Sequence, residues 1–220
     1  NAPVHAKTLH WLACGRVQCI EPLLYGHEEA LVVAAFPILK TAAALLAEHG
    51  LAGKWFMHEE SIRVPLVIFD PRAPKTQRGQ ALEPMALNID IAPTLLEYAG
   101  VTAPTSMQGR ALQPLLRGQR MAWRSDWFYE HRFEHEWIPK TEGIRTNDWK
   151  YTEYPEESPA FEELFHLKVD EDETRNLATD EAYSGRLRAL RERRQEWLTA
   201  LAKWTPECDW ATLEPAARNI

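Results

Sequence analysis

Apolar and polar residues change rhythm along this chain, and each rhythm predicts a different element. Val64-Pro65-Leu66-Val67-Ile68-Phe69 is a short unbroken apolar run that ends at Asp70-Pro71, a turn signal. A run of that length predicts a strand covered on both faces, as in a parallel sheet. From Asn88 to Gly100 the spacing becomes helical. Asp90 is the expected N-cap, Pro93 is tolerated in the first turn, and Gly100 is the expected stop. The Ile91, Leu95 and Leu96 side of this helix should pack on the sheet. Residues 72–84 hold Pro74, Gly79 and Pro84 and read as loop.

After about residue 122 the rhythm shortens. Residues 142–146 and 149–154 flank Asn147-Asp148 and predict an antiparallel hairpin. Glu163-Leu164-Phe165-His166-Leu167 predicts a third strand. Residues 180–204 predict a helix with Leu187, Leu190, Trp197, Leu198, Leu201 and Trp204 on one face. Arg186, Arg188, Arg191, Arg193 and Arg194 crowd that helix and are expected to form a solvated face paired with Glu192 and Glu196. Nearer the start, alanine and leucine content predicts helices over 28–36 and 39–48, separated by Pro37, with Gly50 just past the second.

Composition narrows the class. The chain has 220 residues, 45% hydrophobic and 26% charged, which suits a globular fold with a sizeable core. Its net charge of -7 argues against a nucleic-acid partner, whose phosphates need a basic stripe. Any anion site must therefore be a local basic pocket. Cys14, Cys19 and Cys208 are odd in number and lack CxxC spacing, so neither a disulfide framework nor a zinc site is expected. No apolar run reaches membrane-spanning length, because Pro37 and Lys40 break the longest, and the start does not resemble a signal peptide.

Three stretches carry a resemblance. Glu48-His49-Gly50-Leu51-Ala52-Gly53-Lys54-Trp55-Phe56-Met57-His58-Glu59-Glu60-Ser61-Ile62-Arg63-Val64-Pro65-Leu66 is similar to a "GEHGLxGKxxxYEESxRVPL" segment. Asn88 to Gly100, followed by Met107-Gln108-Gly109-Arg110-Ala111-Leu112, is similar to "DIxPTLLxxAGxxxPxxxQGxSLxPLL". Residues 142–151, 163–167 and 172–178 are similar to "GVRTxxxKY…ELYDLxxDPxExxNLA". Together, in order and in spacing, they resemble the type I sulfatases of the alkaline-phosphatase superfamily, nearest to heparan-sulfamidase-like and N-acetylglucosamine-6-sulfatase-like enzymes. The resemblance implies an α/β fold: part of an α/β/α sandwich over 48–120, and an α+β subdomain over 121–204 with an antiparallel sheet and a terminal helix. Residues 1–47 form a segment outside these stretches; 7–47 match no part of the pattern and are expected to be poorly ordered, and a shifted reading frame over 7–47, restored by Glu48, would explain them. Residues 205–220 read as a tail.

The same resemblance implies chemistry. Family members hydrolyse sulfate esters with a formylglycine made from Cys or Ser in C/S-x-P-x-R, beside a calcium ion. Cations in a dry pocket stabilise the charge that gathers on the sulfate oxygens. Lys54 matches the catalytic lysine, whose ammonium binds a sulfate oxygen as a point charge. Without its motif, a lysine in a glycine-rich loop would read as solvated. Asn1-Ala2-Pro3-Val4-His5-Ala6 echoes a histidine-bearing "APHxP" segment, and on that echo His5 would match the leaving-group acid, although it lies closer to Lys54 than the pattern has. His49 shares the lysine's loop and is a candidate for substrate contact, as is Trp55. His58 replaces a usual Tyr and reads as a polar packing residue. Glu59 and Arg63 read as a buried ion pair, and Arg145 as structural. The 129–135 segment alternates aromatic, carboxylate and imidazole groups and reads as an irregular loop. His131 and His135 are candidates for sugar contact; as metal ligands with Glu130 they would need a helix to share a face. Trp123, Trp127 and Trp137 read as core.

Two departures matter. Thirteen positions before Lys54, where the family has a calcium-binding "SDNG" or "SDHG" turn, stand Thr41 and Ala42, which offer no carboxylate. Neither Cys14 nor Cys19 opens a C-x-P-x-R segment. The expected protein is thus the C-terminal part of a sulfatase for sulfated carbohydrate, calcium-dependent when whole, missing an N-terminal part of the same polypeptide and inactive alone. Periplasmic or secreted placement follows from the family. The alternatives are a phosphatase or phosphodiesterase of the same superfamily, and a non-catalytic remnant or sugar-binding module.

Overall fold

A computed structural model describes residues 15–18, 32–35, 45–46, 48–50, 52–53, 55–70 and 72–203. The first sheet has the order β2-β5-β1-β6, from β1 (Gly15–Gln18), β2 (Val32–Ala35), β5 (Leu66–Phe69) and β6 (Ala81–Ala86). β1 runs parallel to β5, while β2 and β6 pair antiparallel with their neighbours, so the sheet is mixed. Two short strands, β3 (Leu45–Leu46) and β4 (Ala52–Gly53), form a separate hairpin. Between them His49 and Gly50 both have left-handed backbones, with φ of 57° and 71°.

The strand at 64–69 is thus present, in a mixed sheet. The helices expected over 28–36 and 39–48 are not: Val32–Ala35 and Leu45–Leu46 are strands. Pairing along β5 outweighs the local helical preference of alanine and leucine, and the register Val33↔Ile68 and Ala34↔Val67 shows how. Gly50 accordingly follows a strand. Residues 72–84 are not all loop, because β6 begins at Ala81 and includes Pro84. Proline is tolerated there because β6 is an edge strand.

A four-residue helix, α1 (Glu59–Ile62), precedes β5. After β6 comes a 3-10 turn at Asn88–Asp90 and then α2 (Ile91–Tyr98). Asp90 stands at the N-cap position of α2, as expected, but its side chain makes no capping bond there. Its carboxylate is fully buried and accepts the backbone N–H groups of Leu87 (2.7 Å) and Arg110 (2.8 Å) and the guanidinium of Arg124. Nor does α2 bury Leu95, which is 44% exposed; Pro93 and Thr94 face inward instead. The Thr94 hydroxyl accepts the Leu112 N–H, and Gln113 donates to the Thr94 carbonyl. Those bonds seat α3 (Gln113–Leu116). Gly109 lies so near the Ile89 carbonyl that a side chain has no room.

The second sheet is a meander in the order β10-β9-β8-β7, built from β7 (Asp126–His131), β8 (Thr141–Thr146), β9 (Trp149–Tyr154) and β10 (Phe161–His166). The predicted hairpin is β8–β9 with Arg145 opposite Lys150. Helix α4 (Ser184–Lys203) closes the sheet and buries Leu187, Leu190 and Trp197 against Ile144, Tyr151 and Leu164. Its arginines are only partly the solvated face expected: Arg188 and Arg191 are exposed and Arg193 pairs with Glu196 at 2.8 Å, but several reach the sheet. Arg193 is buried and grips Asp126 through two bonds of 2.7 and 3.0 Å, Arg191 pairs with Glu162, and Arg194 reaches Glu142 and Glu153. Apart from Glu196, the carboxylates that they meet sit on β7–β10, far away in sequence. A smaller core of Met57, Ile62, Met85 and Trp127 joins the two sheets. Among the described residues no helix is long and apolar enough to cross a membrane.

Candidate functional site

The segment from Trp55 to Glu60 lies where the two sheets meet. Its far end is fixed by charge. Glu59 opens α1, and its carboxylate takes two bonds from Arg145 of β8, at 3.2 and 3.0 Å. Lys150 of β9, almost fully buried, stands 3.2 Å from Glu59 Oε1 and 2.5 Å from Glu173 Oε1, and donates to the Met57 carbonyl at 2.6 Å. The other Glu173 oxygen accepts the Glu59 N–H at 2.6 Å. Burial alone would raise the Glu59 carboxyl, but the Lys150 ammonium and the Arg145 guanidinium outweigh it and hold its pKa at about 2. Glu173 is also held below the usual range: burial opposes this, and the His58 ring beside it and Lys150 prevail. Glu59 is therefore in an ion pair as expected, though with Arg145 and Lys150. Arg63 is exposed and takes no part. Arg145 is structural, as expected.

The near end of the segment is aromatic. Trp55 lies edge-on to His131 (centroids 5.6 Å, planes at 63°) and stacks on Phe133 (5.6 Å, 17°). Phe133 in turn stacks on His135 (6.0 Å, 21°), and the Tyr129 hydroxyl points to the Trp55 carbonyl at 3.4 Å. Trp55 and Phe133 remain 37% and 51% exposed. The 129–135 segment is a loop only from Arg132 onward, since Tyr129, Glu130 and His131 belong to β7. His131 and His135 come to one face without a helix, because alternate residues of an extended chain point the same way. Burial pushes the His131 imidazole below its ordinary range, opposed by the Pro139 carbonyl. Both its ring nitrogens are shielded and lack a full hydrogen bond among the described residues. An imidazole left in this state can still take a hydrogen bond from, or give one to, a hydroxyl.

Trp55, His131 and His135 are thus brought together as one surface. His49 is not among their contacts; its ring stacks on His58 at 4.0 Å and 8°. Lys54, His5, Thr41, Ala42, Cys14, Cys19 and the tail lie outside the described residues. Trp127 is core, and Trp123 is half-buried and donates to the Met85 carbonyl, whereas Trp137 is 77% exposed rather than core. Phe133, which lies between the two histidines, escaped the reading of the sequence; the period of two through His131, Phe133 and His135 is the signal that finds it. Glu130 is engaged by Arg132, and among the described residues no three His, Cys, Asp or Glu side chains converge as a metal needs. The described residues therefore do not fit a calcium ion, which takes six to eight oxygens.

A mixed sheet coupled to a four-stranded meander with a terminal helix is the architecture of alkaline-phosphatase-like hydrolases. A solved complex of a protein with its substrate D-glucosamine-2-N,6-O-disulfate matches at TM-score 0.65 and 30% identity, over 74% of this chain and 34% of that one. The phosphonate monoester hydrolase of Agrobacterium radiobacter matches at TM-score 0.61 and 25% identity, over 71% and 33%. The family described as N-sulphoglucosamine sulphohydrolase, C-terminal, matches residues 47–199, and the chain belongs to it. N-acetylglucosamine-6-O-sulfatase of Bacteroides thetaiotaomicron is 33% identical over 158 residues, 69% of this chain and 27% of that protein. Human arylsulfatase K is 31% identical over 189 residues, 78% and 33%. The chain therefore spans about a quarter to a third of the length of these relatives.

Proposed function

We propose that this chain is the C-terminal part of a sulfuric ester hydrolase for sulfated carbohydrate, and that it supplies sugar contact and one cation to a pocket completed elsewhere in the polypeptide. The observation that carries this is the convergence of Trp55 with His131, Phe133 and His135, next in sequence to Lys54. Aromatic faces cover the apolar face of a sugar ring, the imidazoles meet its hydroxyls, and the Lys54 ammonium holds a sulfate oxygen. His5 is the proposed proton donor to the leaving alcohol. The substrate named for the solved relative, a doubly sulfated glucosamine, supports the substrate class. Periplasmic or secreted placement goes with that class.

The chain is proposed to be inactive alone, since neither Cys14 nor Cys19 stands in a formylglycine segment. Calcium in the whole protein would polarise the sulfate; residues beyond those described would hold it. Added calcium should leave the Tm of this chain unchanged, and a clear rise would overturn that part. The main test is saturation-transfer NMR with D-glucosamine-2-N,6-O-disulfate and with unsulfated glucosamine. Transfer to the sulfated sugar, lost in Trp55→Ala and Lys54→Ala, is expected. No transfer to the sulfated sugar would overturn the reading. A second reading, phosphoryl or phosphonyl ester hydrolysis, gains from the phosphonate monoester hydrolase and from the multifunctional alkaline phosphatase superfamily protein PehA of Trinickia caryophylli, 32% identical over 166 residues. Preference for glucosamine 6-phosphate in the same experiment would favour it.

A further inference from the structure

His49 and His58 form a pair that the proposed chemistry does not use. Their rings lie face to face at 4.0 Å and within 8° of parallel. His58 is nearly buried, and its Nδ1 has no hydrogen-bond partner; Glu173 Oε2 is 3.6 Å away. His49 Nε2 is 3.9 Å from Glu60 Oε2, which is itself buried without a hydrogen bond. The His49 backbone is left-handed, an uncommon state for a residue with a side chain. The ring rests on His58, and through His58 on the Glu173–Lys150 joint.

Charged side chains from several elements surround the pair. Glu60 faces the pair from α1, Asp170 and Glu173 from the segment after β10, and Glu59 adjoins Glu173 through Lys150. Lys150 of β9 and Arg145 of β8 are the cations of this group, and Phe165 of β10 packs on His58 at 5.9 Å. Four carboxylates against two cations leave a surplus of two negative charges. Asp170 shows the coupling: burial opposes ionisation, but N–H donors from Thr174 and Arg175 and the nearby His49 hold its carboxyl below the usual range. Glu163, also on the wall of the adjoining cavity of about 420 Å³, accepts the Tyr154 hydroxyl.

We propose that His58 is a positioning residue: with His49 it forms a proton-binding stack that seats the turn at His49 and Gly50 on the second sheet, more firmly in mild acid than at neutral pH. The turn's seat does not depend on any role of Lys54; only the consequence for sulfate binding rests on the function proposed above. Histidine suits the task because its charge changes between about pH 5 and 8. At position 58 the family pattern has Tyr, so His58→Tyr keeps a ring and removes the proton site.

The test is amide hydrogen exchange of peptides covering 45–57 at pH 5.5 and 7.5, corrected for intrinsic rates. The wild-type chain should be at least about fivefold better protected at the lower pH, and both His58→Tyr and His49→Asn should lose that difference. An unchanged pH effect in His58→Tyr, or none in wild type, would overturn the proposal. Should the variants fail to fold, NMR titration of the wild-type rings decides: each should sense the other's protonation, and two independent single-step curves would refute the stack. Sugar binding enters neither measurement, so failure of the proposed function would be seen separately.

Discussion

Residues 55–60 serve two regions of opposite character. At Glu59 the chain enters a buried ionic joint, where one lysine and one arginine are shared by two carboxylates from segments 114 residues apart. At Trp55, four residues earlier, it joins an aromatic surface that is partly open to water and holds a histidine with unmet hydrogen bonds. The joint is held by buried opposite charges; the surface is held by ring contacts and leaves a histidine without hydrogen bonds. A binding surface on a short segment needs such an anchor, because a contact misplaced by an ångström loses much of its value. The comparison fails if the joint proves no stronger than a surface ion pair, or if the aromatic surface proves to be core.

The largest effect should come from Lys150→Met. It leaves Glu59 and Glu173 buried with too little positive charge, which costs about 3–5 kcal/mol. Urea unfolding would measure it. A loss below about 1 kcal/mol would mean that the joint is no more than an exposed pair.

Acid should expose the same joint next. The Glu59 carboxyl is held at about 2, below the usual 4.5. A depressed carboxylate stabilises the fold in full above its unfolded pKa and loses that contribution as the pH falls through the folded one. Between about pH 4.5 and 2 the wild-type chain should therefore lose about 3 kcal/mol through this group. In Glu59→Gln that part of the slope should vanish, as read from stability measured at each pH. An identical slope in both proteins would place the acid sensitivity elsewhere.

How much of this was legible depends on how far apart the partners lie. The β8–β9 hairpin was legible because Asn147-Asp148 sets its turn within two residues, and α4 because Leu187, Leu190 and Trp197 repeat with the helical period. Strand β2 was not, since Val32–Ala35 takes its conformation from β5, more than thirty residues away. The partners of Glu59 were not legible either: Arg63 is near in sequence but Arg145 and Lys150 are near in space. Trp55, His131 and His135 emerged from motif and composition, whereas Phe133 was hidden by reading the segment as a loop instead of following its alternation.

The aromatic surface should separate binding from stability. Phe133→Ala removes the middle ring of the stack, and with the ring half exposed the fold should lose at most about 1 kcal/mol. Affinity for the sulfated sugar should fall about three- to tenfold, the range of one aromatic contact. Thermal melting and NMR titration check the two halves. A loss of several kcal/mol would make Phe133 core and end the distinction.

The smallest effect is the sharpest on sequence reading. Arg63 is exposed, and its backbone N–H donates to the Glu59 carbonyl at 2.8 Å, a bond that does not involve the side chain. Arg63→Ala should change stability by no more than about 0.5 kcal/mol. It should also leave the acid slope of the wild-type chain intact, since Lys150 and Arg145 are what hold Glu59 ionised. If Arg63→Ala instead flattened that slope as Glu59→Gln does, the charge at position 63 would belong to the joint. The segment would then be anchored by its own neighbour in sequence, and the second sheet would no longer be needed to explain where Trp55 is held.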